Sequence, residues 1–98
     1  MKVEWSALAL DLLLENARRV AVDNRPAAVK WVRRVESRVR ALGRTPRIGR
    51  VVEELERDDI REVIVGAYRV IYRVEPKKVV VLTVFEGHRL LRADDVDT

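Results

Sequence analysis

The chain has 98 residues, enough for one domain with a modest single core and no metal or disulfide staple. It holds no cysteine, which excludes disulfides, thiolate metal sites and Cys-His chemistry and makes a reducing cytoplasm the expected setting. Its net charge of +4 conceals a polarity: residues 18–50 carry eleven Arg or Lys against Asp23 and Glu36, whereas residues 51–62 carry six acids against Arg57 and Arg61.

A basic block of this kind suits nucleic acid or an acidic protein segment, and equally a solvated arginine-rich helix. Charge alone leaves these readings open. No apolar run reaches the roughly 20 residues of a membrane span. Asp11 and Glu15 interrupt the N-terminal apolar stretch, so no signal peptide and no membrane partner are expected.

In chain order, MKVEW reads as an opening strand, and Ser6 as the N-cap of a helix with an apolar stripe at Leu10, Leu13, Leu14, Ala17, Val20 and Ala21. Asp23 and Asn24 break it. A second helix starts near Arg25-Pro26, with proline in the first turn, where its missing N–H costs nothing. Its core stripe is Ala28, Trp31, Val32, Val35, Val39 and Leu42, with Lys30, Arg33, Arg34, Arg38 and Arg40 largely on the other side. Gly43 and Pro46 end it. Two long helices joined this tightly predict an antiparallel hairpin.

IGRVVEELERDD, residues 48–59, fits a strand, a loop or a helical turn. Three strand-like runs follow: Arg61–Val65, Tyr68–Val74 and Val79–Phe85, with short connections that predict an antiparallel meander. The acidic tail at about 92–98 is expected to be flexible, within a single domain spanning 1–98. The expected fold class is α+β: an N-terminal strand, then an antiparallel two-helix hairpin packed on one face of a small antiparallel β-sheet.

Side chains alternate along a strand. Tyr68, Val70, Tyr72 and Val74 therefore share one face, and Arg69, Ile71 and Arg73 the other; in the last run Val80, Leu82 and Val84 oppose Val79, Val81, Thr83 and Phe85. If the Val70 face packs on the helices, Tyr68 and Tyr72 are at least half buried, and Arg69 and Arg73 project from an open face. The face taken by Arg61 depends on a register that sequence does not set. Planar guanidiniums on an open sheet suit phosphates or carboxylates. They serve equally as structural partners of Glu53, Glu54 or Glu62. Catalytic groups are few: one histidine, His88, and two serines, Ser6 and Ser37. There is no phosphate-binding glycine loop, and no cofactor or metal is expected.

VEWSALALDLL, DNRPAAVKWV, TPRIGRVVEEL, IREVIVGAYRVIYRV and VLTVFEGHRLL, taken in order over Val3 to Leu91, resemble the RelE/ParE superfamily of bacterial type II toxins, also called plasmid-stabilisation proteins. The resemblance implies a cytoplasmic toxin neutralised by a cognate antitoxin, in a possible toxin–antitoxin hetero-oligomer. It also implies one of two targets: RelE-type members cleave messenger RNA on the ribosome, and ParE-type members poison DNA gyrase.

Aligned with the nucleases, Arg69 falls on the arginine of a catalytic Tyr-Arg pair, Arg89 on a late arginine, and Arg61 on the first of two catalytic lysines. Val63 takes the place of the second lysine, and the catalytic tyrosine would fall near Asp95. In relatives that cut RNA with a Glu-Arg-His-Tyr set, His88 and an acid such as Glu86 would be the substitutes, still without the tyrosine. ParE-type members usually read His-Gly-x-Arg after the last strand; here the segment is Glu86-Gly87-His88-Arg89. GRVVEEL and IREVIVGAYRVIYRV look closer to the ParE-like branch.

The expected function is growth inhibition by binding DNA gyrase, with a ribosome-dependent endoribonuclease as the alternative. Nuclease candidates are Arg61, Arg69, Arg89 and His88. Candidates for binding target or antitoxin are Arg61, Arg69, Arg73, Arg89, Arg33 and Arg34, with Glu54 and Glu62 as structural pairing candidates. Arg69→Ala is expected to weaken toxicity more than folding.

Overall fold

A computed structural model describes residues 1–87 and 92–96 of the chain. The elements are β1 (Lys2–Trp5), α1 (Ala7–Asp23), α2 (Arg25–Ala41), β2 (Arg50–Val51), β3 (Ile60–Val65), β4 (Tyr68–Val74), β5 (Lys78–Glu86) and a 3₁₀ turn (Ala93–Asp95). One sheet runs in the order β1-β5-β4-β3-β2. Strands β2 to β5 pair antiparallel, whereas β1 lies parallel to β5, so the sheet is mixed. The helix hairpin packs on one face, in the expected α+β arrangement. Among the described residues no helix is long and apolar enough to cross a membrane.

Asn24 makes the hairpin tight by serving both helices. Its N–H donates to Val20 O and closes α1, while its Oδ1 accepts from Ala27 N at 3.0 Å and caps α2. Helix α2 then buries Ala28, Trp31, Val35 and Val39, as its periodicity predicts. Trp31 meets Tyr68 with ring centroids 4.7 Å apart. Tyr72 is fully buried and Tyr68 mostly so, which places both on the helix face.

Helix α1 departs from expectation. Ala9, Leu13 and Asn16 are its buried residues, while Leu10 and Leu14 remain more than two-fifths exposed. The run LALDLLL carries more leucines than one helix face can bury, so the stripe alone does not choose which of them meets the sheet. Asn16 is tolerated inside because Nδ2 donates to Leu12 O at 2.9 Å and Oδ1 accepts from Arg19.

Strict alternation also fails in β5. Ile71 pairs with Thr83 but Tyr72 pairs with Val81, leaving Leu82 as an extra residue in a bulge. The bulge puts Val84 with Val79 and Val81 in the helix-side core and turns Phe85 to the opposite face. Ser6 holds it in place: its N–H donates to Val81 O at 2.9 Å, and its Oγ donates to Leu82 O at 3.2 Å while accepting from Ala9 N at 3.0 Å.

The expected open face is covered. Ile60, Ile71, Val80, Leu82 and Phe85 form a second core there with Val52 and Val96, and Leu55 packs against it. The strands are apolar on both faces, and the hydrophobic effect demands a lid for the second. The segment 52–55 and the acidic tail supply it, so Val96 is buried where a frayed end was expected.

Candidate functional site

The sequence-predicted arginines separate onto different surfaces. Arg69, on β4, lies beneath the second core's lid and is only 7% exposed. Its Nε donates to Glu62 Oε2 at 2.6 Å, Nη2 lies 2.5 Å from the same oxygen, and Nη1 donates to Glu54 Oε2 at 2.8 Å. Phe85 stacks under the guanidinium, 5.4 Å from its carbon. Burial works against the charge, but the hydrogen bonds to Glu54 and Glu62 outweigh it and hold the pKa above that of a free arginine. Glu62, 4% exposed, also accepts from Arg50 Nε at 2.5 Å. The result is a satisfied Arg50–Glu62–Arg69–Glu54 chain, not a guanidinium presented to a ligand.

Arg61 pairs in register with Tyr72, on the other face from Arg69. Its Nε and Nη2 hold Asp58 O and Oδ1 at 3.1 and 2.8 Å, and its Nη1 holds Arg47 O and Gly49 O at 3.2 and 3.0 Å. The guanidinium is thus fully spent, Nε and Nη2 on Asp58 and Nη1 on pinning residues 47–49 to β3. Tyr72 braces the same loop by accepting from Gly49 N at 2.9 Å. A Cβ at position 49 would stand 2.4 Å from the Tyr72 hydroxyl and 2.5 Å from Glu62 O, so only glycine permits the approach. Arg47, more than Arg61, holds the Asp58 carboxyl below its ordinary value through a hydrogen bond to Oδ2 at 2.6 Å.

Arg73 is part-buried and pairs with Glu75, 2.9 Å away, instead of projecting from an open face. Val63, at the second nuclease lysine position, is buried in the helix-side core. His88 and Arg89 lie outside the described residues.

Among the described residues, two grooves join arginines to exposed apolar side chains. One is a groove along the outer side of the hairpin, floored by Leu14, Ala17, Ala21, Val29 and Val32 and rimmed by Arg18, Arg25 and Arg33 with Glu36. The other lies between α2 and the edge of β3, where Arg33, Arg34, Ser37 and Arg38 face Ile64 and Val65. Sequence reasoning found Arg33 and Arg34 but assigned Leu14 and Ala21 to the core. The surplus of leucines in LALDLLL was the signal for a second apolar face.

The comparisons agree with this architecture. Residues 3–91 match the model of the ParE toxin of type II toxin–antitoxin system, parDE. The chain superposes on a solved chain from the chromosomal ParDE TA system of P. aeruginosa with a TM-score of 0.74 and 20% identity, covering 90% of this chain and 97% of that one. Among proteins of curated function, none matches by sequence. With nearly the whole chain matched, the protein belongs to the ParE toxin family of type II toxin–antitoxin systems.

Proposed function

We propose that this toxin arrests bacterial growth by binding an essential target, DNA gyrase, rather than by cutting RNA, and that a cognate antitoxin neutralises it in the cytoplasm. The supporting observation is the fate of the nuclease-like arginines. Arg61 and Arg69 lie on opposite faces of the sheet, and every guanidinium nitrogen of both is engaged by carboxylates or main-chain carbonyls of the chain itself. Transition-state stabilisation of a phosphate needs preorganised donors aimed at the developing charge, and these two are aimed elsewhere. The missing lysine at Val63 points the same way. An apolar groove rimmed by arginines suits an amphipathic helical segment of the antitoxin with acidic flanks, in a toxin–antitoxin hetero-oligomer.

Purified, antitoxin-free protein tests the reading in two parallel assays. Inhibition of gyrase supercoiling, with messenger left intact on programmed ribosomes, is the expected pair of results. Codon-specific cleavage of messenger would make the protein a ribosome-dependent endoribonuclease and overturn the proposal.

A further inference from the structure

Two grooves meet along the solvent side of α2. Arg33, Arg34, Ser37 and Arg38 line the one beside β3, and Ser37, Arg40 and Arg44 line the one that passes the end of the helix. Ser37 and Ala41 border both, so the two run together as one track. Lys30, exposed one turn before Arg34, extends the line of charge toward the start of α2.

Among the described residues Lys30, Arg33, Arg34, Arg38 and Arg44 meet no carboxylate, whereas Arg40 pairs with Glu36, Arg47 with Asp58 and Arg50 with Glu62. The helix macrodipole favours cations in the last turn, which holds Arg38 and Arg40; Lys30 and Arg34 lie outside it and gain nothing there. Lys30, Arg34 and Arg38 follow at four-residue steps, about 6 Å apart along the helix axis. Each strand of a duplex presents a phosphate about every 3.4 Å of its own axis, so every cation on the track has one within reach. We propose that this track holds the phosphate backbone of duplex DNA, with Lys30, Arg34, Arg38 and Arg44 each on a phosphate and the Ser37 hydroxyl donating to one.

Other occupants fit less well. A single strand needs aromatic platforms for its bases. Trp31, Tyr72 and Phe85 are buried, Trp5 and Tyr68 only partly reach solvent, and none of the five lines the track. Duplex RNA is recognised largely through its 2′-hydroxyls, for which the track offers Ser37 among cations. A protein segment draws its affinity from apolar anchors, and from Ser37 to Arg44 the lining offers only Met1 at its margin. A second copy of this chain would set like charges against each other.

The test is fluorescence anisotropy of a short labelled DNA duplex titrated with the purified full chain over a range of salt concentrations. It does not depend on growth arrest or on gyrase. Four phosphate contacts predict that log affinity falls against log salt with a slope of about −3 to −4. The double variant R34Q/R38Q should flatten that slope by about 2 and weaken binding by about tenfold or more at low salt. Both positions are exposed, so its melting temperature should match the parent's. Arg33 stays in place because it also rims the hairpin groove. A comparison variant, K77Q/R92Q, removes the same charge from exposed positions off α2 and should bind like the parent. An equal loss in K77Q/R92Q would reduce the effect to net charge and overturn the proposal. So would a salt slope no steeper than about −1, which leaves a single contact. Tighter binding of a single strand, of duplex RNA or of polyglutamate of matched charge would overturn it too, and would name the occupant instead.

Discussion

At the scale of single residues, the arginines divide by what burial lets them do. For Arg69 the sequence leaves a ligand-binding role and a structural pairing with Glu54 or Glu62 open; its surroundings are those of a brace. Arg69→Ala would leave Glu62 almost fully buried, with Arg50 as its remaining partner, and would remove the pair that Glu54 makes with Arg69. Breaking a buried pair on one side costs about 3–5 kcal/mol, and Arg50 keeps this case toward the lower end. Arg73→Ala, which breaks a part-exposed pair with Glu75, should cost no more than about 1 kcal/mol. Thermal or urea unfolding of the two variants checks the contrast. If Arg69→Ala melts like the parent and yet loses toxicity, the arginine is a binding group and the bracing role fails. The pairing of Arg69 with Glu54, fifteen residues away, could not be ranked from sequence against pairs with Glu53 or solvent, because a loop of irregular backbone sets it.

At the scale of elements, what was legible followed from period. The hairpin, the buried stripe of α2 and the β3–β4 turn at Gly66, whose φ of 61° suits glycine, all come from local pattern. Two misreadings share another cause. Helix α1 has two apolar faces, and only tertiary contact selects between Leu13 and Leu10. Strand β5 is apolar throughout, so its bulge leaves no mark in the hydrophobic pattern. Ser6 ties these two elements together, with one hydroxyl that caps α1 and also donates to the bulged Leu82 carbonyl. Ser6→Ala should therefore cost about 2–4 kcal/mol, the sum of a lost cap and an unsatisfied carbonyl. Ser6→Asp separates the two: a carboxylate caps the helix but cannot donate to Leu82, so denaturant unfolding should show partial recovery only. Full recovery would mean that the bulge holds itself without the serine.

At the scale of the whole molecule, the ionisable groups that join separate parts of the chain bound its stability from both sides of neutrality. On the acid side, hydrogen bonds from Lys78 and Lys2 lower the pKa of Glu4, the one from Arg47 lowers that of Asp58, and the one from Arg57 lowers that of Asp59. The first ties β1 to β5 and the second ties the loop at Arg47 to the turn before β3. A carboxyl with a lower pKa folded than unfolded binds more protons in the unfolded chain. Its contribution is whole above the unfolded value, near 4, and disappears as pH falls through the folded one. These carboxyls all reach solvent, Asp58 most of all, so added salt should flatten that limb. On the alkaline side, burial raises the pKa of Tyr72 above 10, and the hydrogen bond from Gly49 opposes it only in part. Here the sign reverses. The neutral phenol is the form that folds, so its contribution is intact below the unfolded value near 10 and is lost as pH climbs through the raised folded one. Melting temperature measured against pH should thus form a plateau with a salt-sensitive acid shoulder and a salt-insensitive alkaline one. Tyr72→Phe should lower the plateau, since the Gly49 amide loses its acceptor, while shrinking the alkaline shoulder. An alkaline shoulder of unchanged size in that variant would assign it to the lysines instead, and Tyr72 would then be a packing residue whose ionisation does not matter to the fold.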